Sequence, residues 1–285
     1  MERADGAVKI QAVVTIPDGS DKPEFDLAVE NRSVGHRLRM VVTTAEKCTE
    51  CFGDSAFDLP RRPVLPENRD GMHVRTRSMR NLAGIAGEKV IAVFGSGMRE
   101  CETALTEEGT FMALTILRST ARVYSTGLSN RPEGGQPDFV RWHTEDSRML
   151  GAYSTRCALA VYPAEVSDLT LHNDALSRQI PLNVFGAWAH GTVPARGSYM
   201  SIDGAVLSTV LEIENGMAVR VFADKDGGVC TIDVKRPVAE VHMVDLMGRR
   251  VDESTEAAAQ VIIDQNQIKF SLKPCQISTV EIAFA

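Results

Sequence analysis

Apolar residues recur in short runs along this chain, and most runs are bounded by glycine, proline, asparagine or aspartate. In several runs they alternate with other residues, as Val8, Ile10 and Ala12 do near the start. A period of two is typical of a strand with one buried face. The pattern predicts strands at 8–16, 25–29, 37–43, 89–94, 111–118, 155–162, 206–213, 218–223, 229–234, 238–245, 267–272 and 278–284.

One stretch, 164–176, is the best candidate for a helix. Val166, Leu169 and Leu176 lie loosely at helical spacing, and Pro181 prevents the helix from continuing. Because predicted strands are many and helices scarce, we expect an all-β chain in which antiparallel sheets pack face to face as β-sandwiches.

Two short polar interruptions predict tight β-hairpins. The residues Asn31-Arg32-Ser33 separate two apolar-alternating runs within 29–39, and Gly35 supplies the backbone freedom that a tight reversal needs. The pair Gly227-Gly228 lies between two further runs. Since no helix follows this pair, a hairpin turn is favoured over a phosphate-binding loop.

Three stretches rich in proline, glycine and charged residues read as loops: 54–70, 125–147 and 191–204. The second is longer than most connections within a compact domain, which is typical of a functional loop. The third marks a domain boundary. The sequence therefore predicts a large β-sandwich domain over 1–197 and a small C-terminal β-sandwich domain over 204–285.

Composition narrows the classes of partner. The 285 residues carry a formal net charge of -7 without a lysine- or arginine-rich cluster, which argues against nucleic acid as a partner. No apolar run approaches ~18 residues, so no membrane partner is expected. The first residues contain no apolar signal-peptide core, which favours a cytoplasmic protein. The 6 cysteines are scattered along the chain, which favours reduced thiols over a disulfide scaffold.

Several segments, taken in order, resemble the β-rich C-terminal region of family 38 glycoside hydrolases, the α-mannosidases and mannosylglycerate hydrolases. The first is similar to that family's "ENR…HRLR" segment, although Gly35 stands where the family normally has aspartate. Phe111–Ser119 is similar to the family's "LALTLLRS" strand. The resemblance rests on residues 29–39, 88–94, 111–119, 130–135, 157–163, 206–208, 218–222, 236–238, 244–246 and 273–280, and it covers about residues 8 to 285.

The resemblance implies a galactose-mutarotase-like supersandwich followed by a smaller C-terminal β-sandwich. The family's catalytic domain lies N-terminal to this region and carries an aspartate nucleophile and a zinc site of two histidines and two aspartates. That domain is expected to be absent from this chain, so no catalytic residue and no cofactor are assigned here. The parent protein would be a retaining, zinc-assisted α-mannosidase, and the isolated chain is expected to be inactive.

The resemblance also makes two arginines candidate substrate-binding residues. In the family, the end of the strand matching 111–117 and the loop after it approach the catalytic domain, where an arginine can line the substrate cleft. Arg131 is therefore a candidate sugar contact, and Arg118 a candidate for shaping the loop or the domain interface. Arginine suits sugar hydroxyls because it offers several donors in a fixed plane. The alternative is that both arginines are solvated or paired with nearby acids (Glu133, Asp138, Glu145).

Trp142 is a third candidate for substrate binding, because it follows Phe139 in the polar loop and exposed aromatic rings can stack on sugars. The expected partners are the chain's own N-terminal catalytic domain and a carbohydrate substrate, with a homodimer as a further candidate assembly. A second interpretation is a stand-alone carbohydrate-binding β-sandwich that uses the 125–147 loop and has no hydrolase activity.

A third interpretation, a self-sufficient hydrolase, needs two carboxylates ~5–5.5 Å or ~6.5–9.5 Å apart. Glu145-Asp146 is the nearest local candidate, and a solvated loop edge is the alternative. Cys48-Thr49-Glu50-Cys51 could ligate zinc or form a redox pair. No further ligands follow at a finger-like distance, and no strand–helix unit surrounds the motif. Two thiols in or beside a turn are therefore favoured.

Overall fold

The computed structural model describes residues 7–66, 76–120, 145–180, 183, 186, 197–252 and 261–285. The chain divides into two compact units. The first comprises Met1–Ala56 with Pro60–Val166, and the second comprises Phe57–Leu59 with Ser167–Ala285. These units are groups of residues that contact one another. The predicted domains, 1–197 and 204–285, are parts expected to fold independently, so that division stays a prediction.

The described strands of the first unit number eleven, and six of them overlap a predicted strand. In the described part of this unit they are β1 (Val8–Thr15), β2 (Glu24–Asn31), β3 (His36–Thr44), β4 (Glu50–Gly53), β5 (Arg61–Pro63), β6 (Thr76–Ser78), β7 (Leu82–Ala86), β8 (Lys89–Gly95), β9 (Glu100–Leu105), β10 (Thr110–Ser119) and β11 (Gly151–Pro163).

These strands form two antiparallel sheets with a shared apolar core. A 7-stranded sheet has the order β1-β2-β11-β8-β7-β4-β5, and a 4-stranded sheet has the order β3-β10-β9-β6. Ile85 and Val93 of the larger sheet belong to the same buried cluster as Met112 and Leu114 of the smaller one. Two sheets that enclose one core make a β-sandwich, so the predicted all-β class is confirmed.

The segment between β2 and β3 crosses from one sheet to the other, so the prediction of a β-hairpin over 29–39 is wrong. β2 pairs with β1 and β11, whereas β3 pairs with β10. Gly35 has a φ of 78°, which suits a residue without Cβ. Its N–H donates to the carbonyl oxygen of Ser119 at 3.0 Å. A crossing and a hairpin use the same turn residues, and only the distant partner strands distinguish them.

The second unit contains a smaller sandwich. Its described strands are β12 (Met200–Asp203), β13 (Val206–Ile213), β14 (Gly216–Phe222), β15 (Gly228–Val234), β16 (Val238–Val244), β17 (Ile262–Asp264), β18 (Gln267–Leu272) and β19 (Ile277–Phe284). They form 4-stranded sheets with the orders β12-β15-β18-β17 and β13-β14-β19-β16. Ile232 and Phe270 of the first sheet share a core with Val219 and Ile282 of the second.

The turn at Gly227-Gly228 is a second crossing between sheets, so the hairpin predicted there is also wrong. β14 pairs with β13 and β19, and β15 pairs with β12 and β18. Gly227 has a φ of 68°. A Cβ atom on it would lie 2.7 Å from the carbonyl oxygen of Leu272, so the crossing requires glycine for space as well as for conformation.

Helix α1 spans Asp168–Gln179 and begins about one turn later than the predicted 164–176. β11 continues to Pro163, and Ser167 then caps the helix by accepting a hydrogen bond from the N–H of Thr170 at 3.1 Å. Leu171 and Ala175 form part of its buried face. None of the helices described is long and apolar enough to cross a membrane.

Candidate functional site

The predicted functional loop, 125–147, lies in the sequence between β10 and β11, and the structure describes the residues on either side of 121–144. The N–H of Thr120 donates to the carbonyl oxygen of Ser147 at 2.9 Å. The hydroxyl of Ser147 donates to the carbonyl oxygen of Thr120 at 3.1 Å. Thr120 and Ser147, on either side of residues 121–144, are therefore held together. Arg131 and Trp142 belong to residues 121–144, outside the described residues, so both assignments stay predictions.

Asn31, at the end of β2, anchors this stem. The side chain is buried, with 1% of the residue exposed. Its Nδ2 donates to the carbonyl oxygen of Met149 at 2.6 Å, and its Oδ1 accepts from the N–H of Ser33 at 3.1 Å. The hydroxyl of Ser119 lies 2.9 Å from the carbonyl oxygen of Ser33. We call the set Asn31, Ser33, Ser119, Thr120, Ser147 and Met149 the loop base.

A β-bulge in β10 decides which way Arg118 points. The register between β10 and β3 shifts between Thr115 and Leu117, which leaves Ile116 as the extra residue. Met112 and Leu117 are buried, whereas 65% of the Arg118 side chain is exposed. In a regular strand of the same sequence without a bulge, the alternation that begins at Met112 would turn Arg118 into the core. The bulge therefore places Arg118 on the outer face of the smaller sheet.

On that face Arg118 lies opposite Arg37 of β3, and two carboxylates of β9 offset the repulsion between them. The Glu100 carboxylate lies 3.7 Å from the Arg118 guanidinium and 3.5 Å from that of Arg37. Glu102 accepts hydrogen bonds from Arg37 at 3.1 Å and from Arg39 at 2.8 Å. Arg118 thus pairs with Glu100, an acid that sequence reasoning did not consider.

A groove of about 630 Å³ lies beside the loop base on β1, β2 and the start of β11. Lys9, Glu30, Arg32 and Tyr153 are among its lining residues. The Arg32 guanidinium donates hydrogen bonds to the Glu30 carboxyl and holds the pKa of that carboxyl below its usual range. An aromatic ring beside polar groups suits a ligand with both apolar and hydroxylated faces.

The acidic pair Glu145-Asp146 stands at the returning end of the loop and is solvated. The Glu145 side chain is 84% exposed and lies 3.8 Å from the guanidinium of Arg148. Asp146 begins a short 3₁₀ helix, Asp146–Arg148, and is also exposed. A carboxylate works as a general acid when a partly enclosed site raises its pKa. Such enclosure is missing at both side chains.

Cys48 lies in the connection between β3 and β4 and Cys51 lies in β4, and both side chains are buried in the core of the first unit. Burial raises the pKa of the Cys48 thiol and raises that of the neighbouring Cys101 to about 12. Metal binding and thiol exchange both need the thiolate, which this core disfavours. Among the described residues, no group of three histidine, cysteine or acidic side chains could hold a metal ion.

Sequence reasoning missed the loop base. All of its members except Met149 are ordinary polar residues. In the sequence, Asn31 was interpreted only as an interruption between two strands. Its partner Met149 lies 118 positions further along the chain. A single sequence carries no local signal for such a contact.

Comparison with known proteins identifies solved structures with the same fold. No protein-family model matches the chain, and no curated protein matches it. Several solved structures match it. An α-mannosidase from Enterococcus faecalis has a TM-score of 0.72 at 18% identity and is matched over 95% of this chain. A protein of glycosyl hydrolase family 38, also from Enterococcus faecalis, has the same TM-score and identity over the same share of this chain.

The chain spans 28% and 29% of the lengths of those two structures. At 18% identity the likeness establishes the fold. The predicted resemblance to the β-region of family 38 enzymes is therefore confirmed as a shared fold. In the two solved structures this fold makes up part of a longer chain.

Proposed function

We propose that this chain is the non-catalytic β-region of a larger α-mannosidase-like glycosidase, in which it supports the catalytic domain and lines the carbohydrate cleft. The observation that carries the proposal is the match over 95% of this chain to 28% of a protein described as an α-mannosidase. A shared fold does not by itself define chemistry, and the residues around the loop base supply the further support.

The loop base suits the proposed role in lining the carbohydrate cleft. Hydrogen bonds from Asn31, Thr120 and Ser147 fix the residues that flank 121–144. A loop with a fixed stem loses less conformational entropy when it closes on a ligand. In the proposed cleft, Arg131 and Trp142 contact the carbohydrate, while Arg118 helps to shape the loop or the face toward the catalytic domain.

In this proposal the chemistry belongs to the catalytic domain. That domain would hold zinc and the nucleophile and would perform retaining hydrolysis of an α-mannosidic bond. This chain would supply binding surface and support, and alone it would be inactive. The catalytic domain and the carbohydrate are its proposed partners.

The test begins with the coding sequence immediately upstream of Met1. The proposal predicts an in-frame continuation that encodes two histidines and two aspartates for zinc. The longer polypeptide should hydrolyse an aryl α-mannoside, and Arg131→Ala should raise KM about tenfold, since it removes a charge-assisted contact. Arg156→Ala, an exposed arginine paired with Asp26, serves as the matched control. An upstream stop codon, or an unchanged KM for Arg131→Ala, would contradict the respective part of the proposal.

A stand-alone carbohydrate-binding sandwich is the second candidate, favoured by the groove beside the loop base with Tyr153 and Arg32 in its lining. It predicts that the isolated chain binds oligosaccharides with a change in tryptophan fluorescence that disappears in Trp142→Phe. A chain that binds sugar in this way and has no upstream continuation would move this candidate to first place.

A further inference from the structure

The small sandwich carries a second concave surface, distant in sequence from the loop base. It is a pocket of about 610 Å³ formed by the end of β13, the β13–β14 turn, the residue before β12 and the end of β19. Five polar or aromatic side chains contribute to its wall: Tyr199, Glu212, Asn215, Arg236 and Phe284.

Phe284 organises this pocket. The Tyr199 ring stands edge-on to the Phe284 ring with centroids 6.3 Å apart, and the Arg236 guanidinium carbon lies 4.6 Å above the same ring. Phe284 itself packs against the buried core of the second unit. An aromatic ring and a guanidinium are therefore held side by side on an anchored support, with little freedom to lose when a ligand binds.

The polar atoms of this wall are available. Within the described residues, the Tyr199 hydroxyl, the Glu212 carboxylate and the Arg236 guanidinium make no hydrogen bond to protein. Tyr199 is 52% exposed, so its ring is accessible from solvent. An exposed ring flanked by a planar donor and a carboxylate acceptor matches a sugar, which presents C–H groups on one face and hydroxyls around its edge.

We propose that this pocket is a second carbohydrate-binding site, in which Tyr199 stacks on a sugar ring while Arg236 and Glu212 hydrogen-bond its hydroxyls. The choice of an α-mannoside as the sugar rests on the function proposed above, whereas the site itself rests on the pocket. Neither Arg131 nor Trp142 is among its lining residues. It would hold a remote part of an oligosaccharide or a neighbouring glycan chain.

The experiment titrates the full 285-residue chain with α-linked mannobiose, followed by saturation-transfer NMR and by ¹H–¹⁵N shifts. Tyr199→Ala removes the ring, and its loss should weaken binding about tenfold. Tyr199→Phe keeps the ring and should bind nearly as the natural chain does. Arg236→Lys keeps the charge but loses the planar fork, and it should weaken binding by a similar factor. Arg249→Ala, an exposed arginine outside the pocket, is the matched control.

The titration is repeated in a Trp142→Ala background to separate the two sites. Persistent binding that depends on Tyr199 and Arg236, with shifts centred on β13 and β19, supports the proposal. No binding at millimolar sugar overturns it, as does binding that both Tyr199→Ala and Arg236→Lys leave unchanged. In that case these side chains only cap the end of the core. Either failure leaves the role in a glycosidase intact, because that role is tested by the activity of the longer polypeptide.

Discussion

The Nδ2 atom of Asn31 donates a hydrogen bond of 2.6 Å to the carbonyl oxygen of Met149, 118 positions further along the chain. Through this contact the end of β2 holds the described residues that follow 121–144 in place. The same side chain accepts the N–H of Ser33 in the crossing between the sheets. One buried amide therefore fixes both the sheet crossing and the stem of the proposed cleft loop.

Replacing this amide should destabilise the first unit. We expect Asn31→Ala to lower the free energy of unfolding by about 2–3 kcal/mol, because it leaves buried backbone groups without partners. Asn31→Asp should cost more at neutral pH, since a carboxylate cannot donate to the carbonyl of Met149. Urea unfolding followed by circular dichroism measures both changes. The neighbouring Arg32→Ala, whose side chain is 70% exposed, should stay within about 0.5 kcal/mol. Natural stability in Asn31→Asp would show that donation by Asn31 is unimportant.

The bulge in β10 gives a second prediction. Deleting Ile116 restores an unbroken alternation in which Arg118 still lies opposite Arg37 on the outer face. The free energy of unfolding should therefore fall by about 2–3 kcal/mol, because the Ile116 side chain is lost from the core. Ile116→Val keeps the extra residue and should cost only about 1 kcal/mol. Thermal and urea unfolding of the two variants provide the comparison. A loss of more than about 5 kcal/mol in the deletion variant would indicate that Arg118 is forced into the core, and it would contradict this account of the bulge.

Thiol reactivity tests the account of the cysteines. Burial raises the pKa of Cys157 to about 11 and that of Cys230 to about 12, so these thiols are almost wholly protonated at pH 8. Cys275 is the exposed cysteine. Under native conditions a thiol reagent should therefore label Cys275 quickly and the others slowly, and Cys275→Ser should remove the fast phase. Rapid labelling of Cys48 or Cys51, or a disulfide between them, would support the redox interpretation instead.

Asp245 gives a prediction about acid stability. Its carboxyl accepts the backbone N–H groups of Arg249 at 3.0 Å and Met247 at 2.8 Å. The Arg249 N–H contributes most to holding the pKa of Asp245 below its usual 3.8. A lowered pKa stabilises the fold above about pH 3.8, and this stabilisation is lost as the pH falls further. Asp245→Asn should therefore show a shallower loss of melting temperature between pH 5 and pH 3, on the order of one titrating group. Equal slopes for both proteins would contradict this.

Strands with alternating β-branched residues were predictable. Seven described strands were not predicted: β4, β5, β6, β7, β9, β12 and β17. Of these, β5 and β12 lie within 54–70 and 191–204, so reading those two stretches wholly as loops was wrong. Residues 206–213 and 267–272 were predicted with the bounds of β13 and β18. β7, Leu82–Ala86, was missed because all five of its residues are buried, so no alternation marks it. Its Gly84 is required by packing, since a Cβ atom there would lie 2.2 Å from the ring of Phe52. That requirement comes from another strand.

The candidate site was predictable to a smaller degree. The resemblance indicated Arg118, and the structure shows it exposed at the end of β10. Its pairing with Glu100 depends on the order of strands in the sheet, and its direction depends on the bulge at Ile116. Both are tertiary features without a local signature. Arg131 remains a prediction from the resemblance, and Trp142 remains one from its place in the polar loop.

The most direct test of the central claim is the size and activity of the native polypeptide that contains this chain. An antibody raised against the chain would recover that polypeptide from its source cells, for a denaturing gel and an α-mannosidase assay with and without a zinc chelator. The account predicts a polypeptide several times heavier than 31.1 kDa, with α-mannosidase activity that the chelator abolishes. A polypeptide of 31.1 kDa that lacks this activity would contradict it.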